Sequence, residues 1–306
     1  MIRNFLAVSA LIGLAACGDG NPFTDGETVD GEVTPSDSVL TGEDLDEQMT
    51  ANNVEYDDNG TATTADDTLV INNLPFDNSD LSGGTYTRVA ALPNGFEAYE
   101  SPAGGGGTRQ YFAVFRRAEH TQATATATND YIGAGFGGVI AERLGSGSTP
   151  DARPSSYVFT GEYAGLRVYR GEGLADATYV IGDATVYVDV LDFDEAGAVE
   201  GIVNNREVYS LAGAYIGDID GYLSLATASI DQDTATASSS TAVSVAGSEQ
   251  IGAGEWSAVF GGPNGEELAG IVVIDGSPSE TEIADFGLPD DTTVRENGVF
   301  IVFNGG

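Results

Sequence analysis

The stretch from Gly254 to Asp275, GEWSAVFGGPNGEELAGIVVID, restricts what this chain can fold into more than any other, because it reads as two strands joined by a defined reversal. Trp256, Ala258 and Phe260 share one parity, and Ala269, Ile271 and Val273 share another. Each arm therefore lays an apolar set on one face of a pleated sheet. Between the arms, Gly261, Gly262, Pro263, Asn264 and Gly265 supply the positive and the fixed φ values that a reversal requires.

The rest of the chain carries the same period. Short β-type runs occur at Thr68 to Ile71, Tyr86 to Leu92, Phe96 to Tyr99, Gln110 to Arg116 and Gln122 to Thr128, with Gly83-Gly84, Pro93-Asn94-Gly95 and Gly104 to Gly107 as turns. Residues 68–150 therefore read as a first β-rich domain. Within it Thr124, Thr126 and Thr128 alternate with Ala123, Ala125 and Ala127, and His120, the one histidine, is expected to stand exposed on the threonine face. The run GSGSTPDARPSS, Gly145 to Ser156, is the clearest break in composition and the expected domain boundary.

Beyond it Tyr157, Phe159, Gly161 and Tyr163 alternate with polar partners, and Val186, Val188 and Val190 with Thr185, Tyr187 and Asp189. Further runs lie at Val199 to Val203, Tyr222 to Ile230 and Thr241 to Ala246, then the opening hairpin, then Val299 to Phe303 after an Asn297-Gly298 turn signal. About eight alternating strands predict an all-β domain over 155–306, a small closed antiparallel barrel filled by its own side chains. That barrel is expected to fold without the first domain. Both faces of its strands carry Thr, Ser, Asp and Glu, which favours a barrel in water over one that spans a membrane.

Charge removes whole classes of function. Lys+Arg total 11 against 48 Asp+Glu, a net charge of -37, and lysine is absent. Such a surface repels nucleic acid and anionic lipid headgroups. It suits either solubility in a salty medium or a surface for a cationic partner.

The amino terminus, MIRNFLAVSALIGLAA, has a basic start and an apolar run too short to span a bilayer, the form of a secretory signal over 1–16. Its end, Leu14-Ala15-Ala16-Cys17, resembles the bacterial lipobox. That resemblance implies a lipid anchor through Cys17, the only cysteine. Residues 17–67 are rich in Gly, Asp, Glu, Thr and Ser without sustained periodicity, and read as a disordered acidic tether.

Little chemistry is encoded. Without lysine, Gly104 to Gly107 is no phosphate loop and Schiff-base catalysis is excluded. His120 has no nucleophile elbow to serve. Asp189, Asp192, Asp194 and Glu195, and likewise Asp218-Ile219-Asp220-Gly221, depart from the EF-hand pattern and read as turn residues. The expectation is a non-enzyme with no catalytic residue, metal ligand or cofactor. Because a barrel of this size is full, recognition is assigned to glycine-rich loops of the first domain, Pro102 to Gln110 and Gly133 to Gly138, with Tyr99, Tyr111 and Tyr131 expected to be exposed and ligand-facing.

The segment Phe260-Gly261-Gly262-Pro263-Asn264-Gly265-Glu266-Glu267-Leu268-Ala269-Gly270 resembles the F-x-G-P-x-A-x-E-x-x-G signature of the transferrin-binding protein B-like, Slam-dependent surface lipoproteins, with Gly265 in place of the usual alanine. YVFTGEYAG (Tyr157 to Gly165) and GDATVYVDVLDFDEAGAVEG (Gly182 to Gly201) resemble that family's Y-x-G-x-Y-x-G and v-D-F-d-x-x-x-v-x-G strands. The resemblance implies an eight-stranded barrel closed by this hairpin, with Trp256, Phe260, Gly261, Pro263, Glu267 and Gly270 as its structural motif. It also implies a smaller β "handle" domain ahead of the barrel, over 68–150. It implies an outer-membrane lipoprotein on the cell surface, or alternatively on the periplasmic face, that binds a protein or a small ligand, iron sources among them, beside an outer-membrane translocator or receptor. The rival reading is a structural or protective envelope lipoprotein with no specific ligand.

Overall fold

The computed structural model describes residues 39–42, 45–46, 49–74, 84–103, 109–129, 137–150, 155–171, 174–190 and 197–305. They form two antiparallel sheets. The first contains β1 (Val39–Thr41), β2 (Asn53–Asp57), β3 (Thr68–Asn72), β4 (Gly84–Ala91), β5 (Glu97–Glu100), β6 (Phe112–Arg117), β7 (Thr121–Ala127) and β8 (Gly137–Arg143). From β2 to β8 it is a meander, and β1 returns to pair with β8, giving the order β1-β8-β7-β6-β5-β4-β3-β2. The sheet curls round its own core of Val54, Leu69, Ile71, Tyr86, Tyr99, Tyr111, Phe115 and Ile140.

Strands β1 and β2 fall inside the stretch that composition assigns to a disordered tether over 17–67, so the folded body starts before Thr68. The physical reason is that the scattered apolar residues there, Met49, Ala51 and Val54, are buried against strands far away in sequence. Local composition does not register such partners. The signal segment and Cys17 lie outside the described residues.

The second sheet contains β9 (Ser155–Gly171), β10 (Leu174–Val190), β11 (Ala198–Tyr209), β12 (Tyr215–Ile219), β13 (Tyr222–Asp231), β14 (Thr236–Ala246), β15 (Glu249–Gly261), β16 (Glu267–Gly276) and β17 (Thr293–Asn304), with one helix, α1 (Glu280–Phe286), between β16 and β17. Its order is β10-β9-β17-β16-β15-β14-β13-β11-β12, and a further pairing of β10 with β11 closes eight of these strands into a barrel. The ninth, β12, pairs with the end of β11 alone. Closure leaves the eight with no free edges. Phe159, Tyr163, Val186, Val188, Leu223, Trp256, Phe260, Phe300 and Val302 fill the interior. Trp256 is fully buried, and its indole Nε1 donates to the Ala226 carbonyl at 3.0 Å, so the burial leaves no orphaned donor.

Asn297-Gly298 is not a turn. It lies in the middle of β17, where the buried Asn297 side chain donates to the Thr126 carbonyl of the first sheet at 2.9 Å and a Cβ on Gly298 would meet the Tyr163 ring. A turn signal was mimicked by a tertiary hydrogen bond and a close ring contact.

The two sheets share a core. Leu92, Phe96, Ala98, Val114, Ala123, Ala125, Val139 and Ala141 of the first pack on Ala164, Leu166, Val168, Ala269, Ile271, Val299 and Ile301 on the outside of the barrel. The Thr-Ala alternation in β7 therefore has no exposed face. Its alanines meet the barrel, and Thr124 and Thr126 turn into the curl, where Thr124 Oγ1 donates to the Val114 carbonyl at 2.9 Å. Gly145 to Ser156 lies between the two sheets in sequence, but the apolar layer runs across both.

Candidate functional site

The signature hairpin, built from β15 and β16, joins the two sheets. Glu267 is buried, and its carboxylate accepts from the backbone of Glu119 at 3.1 Å, the backbone of His120 at 3.0 Å and the Thr121 hydroxyl at 2.8 Å. One side chain thus clamps the β6–β7 turn onto the barrel. His120 sits in that turn, partly buried, rather than on an exposed threonine face. At the tip, Gly262 exchanges backbone hydrogen bonds with Ser146 and Ser148, and the Pro263 carbonyl accepts from the Ser148 hydroxyl at 2.7 Å. Arg143 donates to the carbonyls of Phe260, Thr234 and Ala235. Gly261 ends β15 against the backbone of His120, and Phe260 packs edge-on to Phe159 inside the barrel. Gly265 has φ +63°, a value at which glycine is less strained than the alanine of the signature. A Cβ on Gly270 would lie 2.1 Å from the Phe300 ring, so that position requires glycine.

Tyr99 and Tyr111 are not ligand-facing. Both are fully buried in the curl of the first sheet, with Tyr99 edge-on to Phe115. Their parity on β5 and ahead of β6 is that of the interior, which loop proximity in sequence concealed. Tyr131 lies outside the described residues, as do most of the two glycine-rich loops.

The polar chemistry collects instead at one end of the barrel. There α1 carries Glu282 inward, where its carboxylate accepts from Arg167 Nε at 2.8 Å, Arg167 Nη2 at 3.0 Å and the Tyr169 hydroxyl at 2.9 Å. Glu296 accepts from Arg167, from Arg206 at 3.1 Å and from the Tyr163 hydroxyl at 2.7 Å. All six side chains are buried, and two arginines against two glutamates balance. Burial opposes the charge on Glu296, but Arg206 and Arg167 outweigh it and hold the carboxyl below its ordinary range. Burial likewise works against Arg167, and Glu282 and Glu296 overcome it, raising the guanidinium further. Tyr163 is pushed well up by burial and by Glu296, and stays neutral. Apart from Arg206 Nε, which is buried without a hydrogen-bond partner, its buried polar atoms have internal partners, so the network chiefly positions α1.

Beside it, on the outside, is an open cleft of about 570 Å³ where β10 and β11 shift register and β12 ends. Glu162, Asp183, Glu207, Asp218 and Asp220 line it, with Arg206 committed to Glu296 beneath. Asn94, in a turn of the first sheet, reaches the rim and donates to the Tyr163 carbonyl at 2.8 Å. Four of the five carboxylates have neutral partners: Asp183 with Asn205 at 2.6 Å, Glu207 with Tyr209 at 2.7 Å, Asp218 with Tyr215 at 2.7 Å and Asp220 with Thr281 at 2.5 Å. None forms an ion pair among the described residues. Burial, and then the neighbouring Asp183, raise the pKa of Glu162, with the charge of Arg116 opposing them. Asp218 and Asp220 read as turn residues in sequence. Their local pattern gave no sign of Glu162 and Asp183, which join them from other strands. No grouping of three or more acidic, histidine or cysteine side chains suited to a metal ion occurs among the described residues.

Solved structures supply fold-level likenesses. Transferrin-binding protein B of Haemophilus parasuis Hp5, a vaccine antigen determined in mutant forms, is 12% identical with a TM-score of 0.39 over 83% of this chain and 46% of that one. A second mutant form is 11% identical with a TM-score of 0.36 over 82% and 45%. A DUF3598-family protein of unknown function from Nostoc punctiforme is 11% identical with a TM-score of 0.21 over 82% and 86%. The chain spans about half the length of the transferrin-binding protein B structures it matches. No protein-family model matches the chain, and no curated protein matches it in sequence.

Proposed function

We propose that the chain is a lipid-anchored protein of the outer membrane, facing the cell surface, that works as a binding module and not as an enzyme, and that its acidic cleft takes a cationic group of a protein or small ligand. The observation that carries this reading is the set of five carboxylates without ion pairs, held round one cleft by rigid strands. A bound cation would relieve their mutual repulsion, and the fixed strands keep the ordering cost of binding low. The lipobox-like Leu14-Ala15-Ala16-Cys17 supports the anchor.

Spermidine and an Arg/Lys-rich peptide, titrated calorimetrically into the chain, test the cleft. Binding is expected to weaken with salt and to be lost when Asp183→Asn, Glu207→Gln and Asp218→Asn are combined. Undiminished binding by that triple variant would overturn the assignment, and no binding of either probe would favour the envelope-structural role. For the anchor, Cys17→Ser is expected to move the protein from the membrane to the soluble fraction, and continued lipid labelling of that variant would refute it.

A further inference from the structure

Basic side chains are scarce in this chain, and the structure engages most of those it describes. Arg88 pairs with Glu97, Arg143 is held by three carbonyls, and Arg167 and Arg206 are bound to Glu282 and Glu296. Arg116 lies over the Phe96 and Phe303 rings, and Arg117 over that of Tyr56.

Arg170 is the exception. It lies near the end of β9 with Thr293 of β17 directly opposite, and Arg295 is two residues further along β17 on the same outer face of the barrel. Such diagonal neighbours lie about 7–8 Å apart, within reach of two guanidinium groups acting on one ligand. Nε and Nη2 of Arg170 and Nε of Arg295 are all withdrawn from solvent, and none has a hydrogen-bond partner. The other two nitrogens of Arg295 face carboxylates, Nη2 bonding Asp46 and Nη1 lying 3.8 Å from Asp275. Burial, and then the charge of Arg295, pull the pKa of Arg170 below its usual value, with Asp275 opposing. Two cations therefore stand side by side with three donors unmet, an arrangement that is unfavourable unless something accepts from them.

We propose that Arg170 and Arg295 form a binding site for a carboxylate group. Nε and Nη2 of Arg170 lie along one edge of a planar fork, the geometry that matches the two oxygens of a carboxylate, and Nε of Arg295 supplies a third donor. A singly charged ligand is favoured over a dianion, because Asp46 and Asp275 lie on Arg295 and would repel further negative charge. The site stands apart from the acidic cleft. Arg170 and Arg295 are on the outer face at the end of β9 and the start of β17, whereas the cleft is framed by β10, β11, β12 and Glu162, eight residues back along β9. The two sites have opposite charge preference, so failure of either leaves the other standing.

The test is a proton–nitrogen correlation spectrum of the arginine Nε–H groups in the full chain, titrated with acetate, with phosphate and, at matched ionic strength, with chloride. Acetate is expected to shift the Arg170 and Arg295 signals together and saturably, phosphate to act more weakly, and chloride to leave them in place. Arg170→Lys keeps the charge but loses the fork, and is expected to weaken acetate binding about tenfold as read at the Arg295 signal. Arg170→Gln is expected to abolish it. Equal shifts with chloride, an absent saturable shift with acetate, or unchanged affinity in Arg170→Lys would each overturn the proposal, and tighter binding of phosphate would overturn its commitment to a carboxylate.

Discussion

Replacing Glu282 by alanine tests whether α1 is held in the barrel mouth by charge. The helix buries only one of its own residues, Glu282. That carboxylate accepts two hydrogen bonds from Arg167 and one from Tyr169, and its Oε2 also takes the Ser279 backbone N–H at 2.8 Å to complete a capping box. Removing one partner of a buried ion pair costs about 3–5 kcal/mol, because the remaining charge stays desolvated. Loss of the capping contact adds up to about 1 kcal/mol. Arg167 retains Glu296, which places the expected total near 4 kcal/mol, equivalent to a melting temperature lowered by roughly 10 °C for a domain of this size. Glu282→Gln keeps one acceptor oxygen and should fall between. The exposed neighbour Glu280→Ala is the control and should change stability by no more than about 0.5 kcal/mol. Chemical denaturation followed by Trp256 fluorescence gives the free energies, and hydrogen exchange over residues 280–286 shows whether the helix itself is released. A loss below about 1 kcal/mol for Glu282→Ala, or unchanged exchange in α1, would refute the reasoning.

Trp256→Ala empties the largest fully buried side chain from the barrel and is expected to cost about 3–5 kcal/mol by denaturation; a cost under about 1 kcal/mol would mean that the site collapses freely. Glu267→Ala removes three hydrogen bonds at the joint between the sheets and should lower stability by about 2–4 kcal/mol, with faster exchange of the Glu119, His120 and Thr121 amides, and unaltered exchange there would contradict the clamp. Since the folded state lowers the pKa of Glu296, its contribution is fully present above the unfolded value of 4.5 and is lost as pH falls through the folded pKa. Glu296→Gln should therefore flatten the acid limb of the stability–pH curve below 4.5, and an unchanged limb would count against it. The fragment 155–306, lacking the first sheet, would expose Leu166, Val168, Ile271 and Ile301, so it is expected to aggregate or to bind a hydrophobic dye, and a monomeric fragment as stable as the whole chain would show that the shared layer contributes little.

The sequence by itself determined the fold class, the barrel and its hairpin. The period of two is written locally: the alternation of Trp256, Ala258 and Phe260, and the glycines and proline of the turn, impose strand and reversal whatever surrounds them. Only the tertiary structure decided what the second face of each strand meets. Tyr99 and Tyr111 are buried because their sheet curls over them, Thr124 because β7 is covered on both sides, and β1 and β2 are strands because distant partners take up their few apolar residues. The polar sites follow the same rule. Glu282 and Arg167 are 115 positions apart, and Glu162, Asp183 and Asp218 come from three strands. A charge run in one dimension carries no record of which carboxylates will share a cleft, since that depends on the register that closes the barrel.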